Sequence, residues 1–264
     1  MTSRTALAAL LSVALLATAC SAGDDDPAPS DTPSSSATPS PSATTETPSP
    51  SPSPTPSATP AEPTSADPVV SRIGDEQWAL MRSTGSWRSG CPAGRGDLRV
   101  LEVNYVDFSG DVQRGRLVAN RDVMKSLSRI FERLFTWKFP IASMKPVEEF
   151  DGDTLESLKA NNTSAYNCRR PDQINAPQDE SPHANGRAID INPDLNPWMD
   201  LRCKCWSPRA KHHPRVAAPG KILKDDRVVR LFEREGWIWQ NIKVADYMHF
   251  DTGYPSRAWS SPRD

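Results

Sequence analysis

The stretch SPHANGRAIDINP, residues 181–193, ends in an alternation whose reading decides the fold. In Ala188-Ile189-Asp190-Ile191-Asn192 a period of two predicts a strand, with Ile189 and Ile191 on one face and Ala188, Asp190 and Asn192 on the other. A carboxylate between two isoleucines needs a partner. The candidates are an arginine, a set of backbone N–H groups, or a metal ion.

The ends of the chain bear on location. Arg4 precedes an apolar run from Ala6 to Ala17 interrupted only by Ser12, too short to span a bilayer as a mature helix, and residues 1–20 read as a secretion signal. The run closes in Leu16-Ala17-Thr18-Ala19-Cys20, which resembles a bacterial lipobox and makes Cys20 the candidate lipid anchor. Residues 21–67 hold twelve prolines and seven acids among Ser, Thr and Ala, with no Val, Leu, Ile, aromatic residue, Lys or Arg. Such a segment buries too little apolar surface to offset the entropy of ordering it, so it is expected to be a disordered linker. At ~3.1 Å per residue in polyproline geometry it reaches at most ~145 Å.

Residues 68–264 are then expected to form one domain. The whole-chain charge of −2 hides its balance: setting aside Arg4 and the seven linker acids leaves 30 basic and 26 acidic residues. That mild excess suits an anionic wall polymer and is too weak to argue for nucleic acid. Beyond Cys20 the cysteines are Cys91, Cys168, Cys203 and Cys205. In a secreted chain they predict disulfides, and of the three pairings the expectation is Cys91 with Cys168. The Cys203-x-Cys205 spacing alone is a weak metal signal.

A helix is predicted over Asp75–Arg82, and a hairpin over 98–105 and 116–119 turning at Ser109-Gly110-Asp111. A second helix, capped by Asn120 or Asp122, buries Val123, Met124, Leu127, Ile130, Phe131 and Leu134, and a third covers about 225–235 with Gly236 as its stop. No βαβ rhythm is visible, so the expected class is α+β: a small antiparallel sheet with flanking helices.

His183 lies seven residues before Asp190 with Gly186 between them, and His249 sits in Asp246-Tyr247-Met248-His249-Phe250-Asp251. One such histidine alone is more often a core residue. Two histidines and an aspartate are the three protein ligands that a catalytic zinc takes, with a fourth position left for water. Ser181-Pro182-His183-Ala184-Asn185-Gly186-Arg187-Ala188-Ile189-Asp190, followed by Asp246-Tyr247-Met248-His249, resembles the paired motifs of the zinc D-alanyl-D-alanine carboxypeptidase family, which includes VanY-like carboxypeptidases and L-alanyl-D-glutamate endopeptidases. The resemblance extends upstream through Phe139-Pro140-Ile141 and Asn162 to Arg169, covering most of residues 90–255.

The resemblance implies a zinc cleft with His183, Asp190 and His249 as ligands and Asp246 as general base. Residues three apart on a regular strand face opposite sides, so a turn or bulge must separate Asp246 from His249. Two alternatives stay open: Asp246 orients a histidine N–H, or Asp251 has a part. Arg169 matches the family's arginine in Asn167-Cys168-Arg169 and serves either the oxyanion or a substrate carboxylate. Ser181 and Asn192 read as hydrogen bonders behind the ligands rather than reactants. Trp237 and Trp239 line a groove or, more commonly for such a pair, fill core, and His212 and His213 read as an exposed basic loop. The implied function is a zinc metallopeptidase, carboxypeptidase or endopeptidase, cutting peptidoglycan stem peptides outside the cell from a membrane anchor at Cys20. The competing reading is an inactive wall-binding lipoprotein that keeps the fold.

Overall fold

Alternation along residues 98–120 builds the largest sheet of this computed structural model, which describes residues 63–173, 179–240 and 242–262. The expectations for residues 1–62, namely the signal, Cys20 and nearly all of the linker, lie outside the described residues. In chain order the elements are β1 (Val69–Arg72), α1 (Asp75–Thr84), β2 (Leu98–Val106), β3 (Val112–Asn120), α2 (Met124–Thr136), β4 (Ser143–Met144), α3 (Thr154–Lys159), β5 (Asn162–Thr163), β6 (Ala188–Asp190), β7 (Trp198–Asp200), β8 (Cys205–Ser207), α4 (Arg227–Arg234), β9 (Ile238–Trp239) and β10 (His249–Asp251). The class is α+β. Two three-stranded antiparallel sheets, β1-β2-β3 and β6-β10-β9, are joined by a parallel pair, β4-β5, and an antiparallel pair, β7-β8.

The β2–β3 hairpin runs from Leu98 opposite Asn120 to Val106 opposite Val112. Its turn is set by Asp107, whose Oδ1 accepts from the N–H groups of Ser109 and Asp111 at 2.8 and 3.1 Å. Both faces of the hairpin are covered. Leu101, Val103 and Leu117 join the buried stripe of α2, Leu127, Ile130, Phe131 and Leu134, in the main core. Leu98, Val100 and Val118 point the other way, into a smaller cluster with Met81, Tyr166 and Cys168. The packed chain already includes Ala66, which is buried in the main core and whose carbonyl accepts from the Asn104 N–H at 2.7 Å.

The second sheet is pinned from behind by α4. Asp226 caps that helix, accepting from the N–H groups of Val228 and Val229 at 2.8 Å each. Gly236 follows it at φ +86, the left-handed position that a helix stop favours. Phe232 of α4 stacks on Phe250 of β10, ring centroids 3.9 Å apart, and meets Trp237 edge-on. Ile189 and Ile191 enter the same core. The apolar face of the Ile-Asp-Ile alternation is therefore inward, and Asp190 is turned to the opposite side.

Phe232→Ala is expected to destabilise the domain by about 3–5 kcal/mol, since it empties the contact behind β10. Urea denaturation should show a lower midpoint at nearly constant slope.

Candidate metal centre

Two adjacent strands and one turn bring the predicted residues together. β6 and β10 pair antiparallel with Asp190 directly opposite His249, so the two side chains leave the same face of the sheet. His183 arrives from the turn before β6, where Gly186 takes φ +69. A Cβ at Gly186 would stand 2.6 Å from the Asn120 nitrogen, which donates to the Gly186 carbonyl at 2.8 Å. Only glycine lets the turn dock this closely on the end of β3.

The three side chains converge. His183 Nε2 lies 3.1 Å from His249 Nδ1 and 3.3 Å from Asp190 Oδ2, and His249 Nδ1 lies 3.2 Å from Asp190 Oδ1. Among the described residues, they are the one buried group of histidine and carboxylate ligands that could hold a metal ion. Their outer nitrogens are already committed. His183 Nδ1 donates to the Ala165 carbonyl at 2.6 Å, and His249 Nε2 donates to Asp251 Oδ2 at 3.1 Å. Each ring is thereby held with its other nitrogen turned to the shared centre, the arrangement that orients metal-binding imidazoles.

Asp246 and Arg169 line the same cleft, of about 870 Å³. The turn demanded between Asp246 and His249 is present: the His249 N–H donates to the Asp246 carbonyl at 3.3 Å, and Asp246 bridges to Trp198. Asp246 is buried, and its Oδ1 has no hydrogen-bond partner among the described residues. Burial pushes its carboxyl up to about 7, against the pull of His249 and with a further push from Asp190. Asp190 behaves oppositely: burial raises it, but the neighbouring His183 and His249 rings outweigh that and hold it well below the usual carboxylate range. Burial lowers His249, yet its hydrogen bonds to Asp190 and Asp251 and the charge of Asp246 carry it to about 10. Arg169 is lowered by burial and pulled back by Asp190 and Asp246. Two buried carboxylates, Asp190 and Asp246, thus face Arg169, and a third, Asp251, lies behind His249. With both histidines neutral, the carboxylates outnumber the guanidinium, an excess of negative charge that a divalent cation offsets.

Residues 175–252 match the D-alanyl-D-alanine carboxypeptidase family. The match contains both motifs, with His183, Asp190, Asp246 and His249, whereas the stretch from residue 90 through Arg169 lies upstream of it. No curated protein and no solved structure matches the chain. A peptidase family together with a buried His-Asp-His group supports hydrolase chemistry at a metal.

Other predicted residues sit at varying distance from this centre. Ser181 lines the cleft, and its Oγ accepts from the Ala184 N–H at 3.4 Å within the His183 turn. Asn192 is fully buried but faces away from the ligands: its Oδ1 accepts from Ala142, and its Nδ2 donates to Pro140 and Gly220 carbonyls. Cys91 is bonded to Cys168, beside Arg169, and Cys203 to Cys205. Trp237 is core, donating to Ser126 Oγ, while His213 is exposed. Asp251, bonded to His249, is the residue of this cluster that the sequence left undecided, and its signal was the period of two from His249, which puts both on one face of β10.

Asp251→Asn is expected to weaken divalent-metal affinity about 10- to 100-fold, because an amide holds the His249 N–H less strongly. Competition against a chromophoric chelator measures it. A pH dependence follows as well. His249 keeps a proton in the metal-free native state up to about 10, while the unfolded chain loses it near 6.5. That stabilisation is complete below the unfolded value and lost as pH rises through the folded one. Metal-free protein should therefore lose stability between pH 7 and 10, and metal affinity should fall as pH drops because binding displaces the proton. Urea midpoints with and without chelator at the two pH values check the first, and the chelator competition checks the second.

Proposed function

We propose that the protein is a zinc peptidase that cleaves peptidoglycan stem peptides outside the cell, held to the membrane through Cys20 and the Pro/Ser/Thr-rich linker that precedes Ala66. One observation carries the reading: His183, Asp190 and His249 meet at a common point beside Asp246, a buried acid with an unpartnered oxygen. Zinc suits the donor set. Two imidazoles and one carboxylate are its usual catalytic ligands, and a tetrahedron with arms of about 2.1 Å has edges of about 3.4 Å. The two ring nitrogens, 3.1 Å apart, stand close to that edge, and the Asp190 carboxylate lies against both, Oδ1 3.2 Å from His249 Nδ1 and Oδ2 3.3 Å from His183 Nε2.

His183, Asp190 and His249 would hold the zinc, which when bound would supply a Lewis acid for the peptide carbonyl and a water of lowered pKa at neutral pH. The chain's own residues supply the rest. Asp246 takes the proton from the attacking water and returns it to the leaving amine, a task favoured by a carboxyl poised near 7. Arg169 offers a cation to the developing oxyanion. Asp251 and the Ala165 carbonyl keep the two histidine rings in register. The retained Asp246 favours an enzyme over a wall-binding relative, since binding alone does not need that acid.

Zinc-loaded protein incubated with muropeptides is expected to release D-alanine or stem fragments, detected by mass spectrometry, and chelation should abolish release. Asp246→Ala should lower kcat by about 10²- to 10⁴-fold with zinc still bound. Stoichiometric zinc with no mass change in any muropeptide would contradict the substrate assignment.

A further inference from the structure

The cleft has two banks with different charges. One bank is built from the β7–β8 hairpin and residues 242–246, tied together by the Met199 N–H donating to the Ala245 carbonyl at 2.8 Å and by the Trp198–Asp246 bridge. The other is the His183 turn, braced by the Ser256 N–H donating to the Glu180 carbonyl at 2.9 Å. Five side chains other than the ligands and Asp246 carry charge along the cleft: Arg169, Glu180, Asp200, Arg202 and Lys243. Asp200 and Arg202 neutralise one another through a two-pronged contact of 2.5 to 3.2 Å. Arg169 lies against Asp190 and Asp246 at the centre. Lys243 and Glu180 are exposed, and neither has an ion pair among the described residues.

We propose that Lys243 and Glu180 are specificity-determining residues that select a dipolar peptide: Lys243 receives the carboxylate of the leaving amino acid, and Glu180 receives an amine carried on the acyl side. The polarity follows from Asp246. It shares Lys243's bank, and the group that returns a proton to the leaving amine must stand beside the leaving residue. The carboxylate of that residue then falls towards Lys243, and the acyl portion crosses the centre towards the His183 turn and Glu180. A lysine serves this role as a mobile point charge that reaches a flexible chain end, and apolar side chains beside it, Ile242 and Val244, lower the competition from water. Asp200 neutralises Arg202, the hairpin cation that lines the cleft, so on that bank Lys243 is the lining cation without an ion pair among the described residues.

The proposal deepens the peptidase reading and rests on it, and two measurements separate their fates. The first is kcat/KM of the zinc-loaded enzyme for a stem peptide with a free C-terminal carboxylate and for the same peptide amidated. Wild type should prefer the free acid about 10-fold or more, the size of one charge-assisted contact, mainly through KM. Lys243→Ala should erase the preference, Lys243→Arg should keep it, and Lys243→Glu should reverse it. Glu180→Gln should likewise erase a preference for a free over an acetylated side-chain amine. The second is binding of the same peptides to zinc-loaded Asp246→Ala protein by calorimetry. Tighter binding of the free acid, lost in Lys243→Ala, upholds the proposal even if no cleavage occurs, and absence of cleavage then counts against the peptidase reading alone. Equal binding and equal turnover of acid and amide, or a preference that survives Lys243→Ala, would overturn the proposal.

Discussion

The pairing of Asp190 with His249 across two antiparallel strands is the constraint on which the rest depends. A register shift of one residue would put Ile189 or Ile191 opposite His249 and turn the carboxylate into the core. The register is held from the apolar side, where Ile189 and Phe250, themselves opposite one another, pack against Phe232. One face of the same three-residue strands is thus core and the other is chemistry. The stiffness of the first supplies the placement of the second.

Charge explains why the arrangement asks for a cation. Asp190 and Asp246 are buried at the cleft with Arg169 as their counter-charge, and Asp251 is buried behind His249. Without metal the cluster holds a proton strongly on His249. That proton marks the place where positive charge is most needed, and a divalent ion meets the need while freeing both imidazoles to act as ligands. Asp246 stays apart from the hydrogen-bonded set. Its Oδ1 has no hydrogen-bond partner among the described residues, which is what motivates the proposal that it takes up a proton.

Much of this was legible in the residues because it rests on local rules. The period of two around Asp190, the glycine needed between His183 and the strand, and the turn required between Asp246 and His249 all follow from backbone geometry and are all present. The β2–β3 hairpin and the stripe of α2 were readable for the same reason, as were the extent of α4 and its stop at Gly236. The short pieces were not. β4, β5, β7, β8 and β9 are two or three residues long and owe their extended form to partners far along the chain. Asn192 is instructive: it shares the strand's polar face by alternation, but beyond the end of β6 the chain turns at φ +45 and sends its amide towards Pro140 and Gly220. Alternation predicts a face only while the strand lasts. The Ala165 carbonyl behind His183 carried no signal at all, since a backbone acceptor is the same in every residue.

The most direct test of the central claim is a crystal structure of zinc-loaded protein with anomalous data collected at the zinc edge. The account predicts one strong peak about 2.0–2.2 Å from His183 Nε2, an Asp190 carboxylate oxygen and His249 Nδ1, with Asp246 close by but not a ligand. No peak at that point, or zinc bound by other residues while the His183 and His249 rings stay bonded to Asp190 alone, would contradict it.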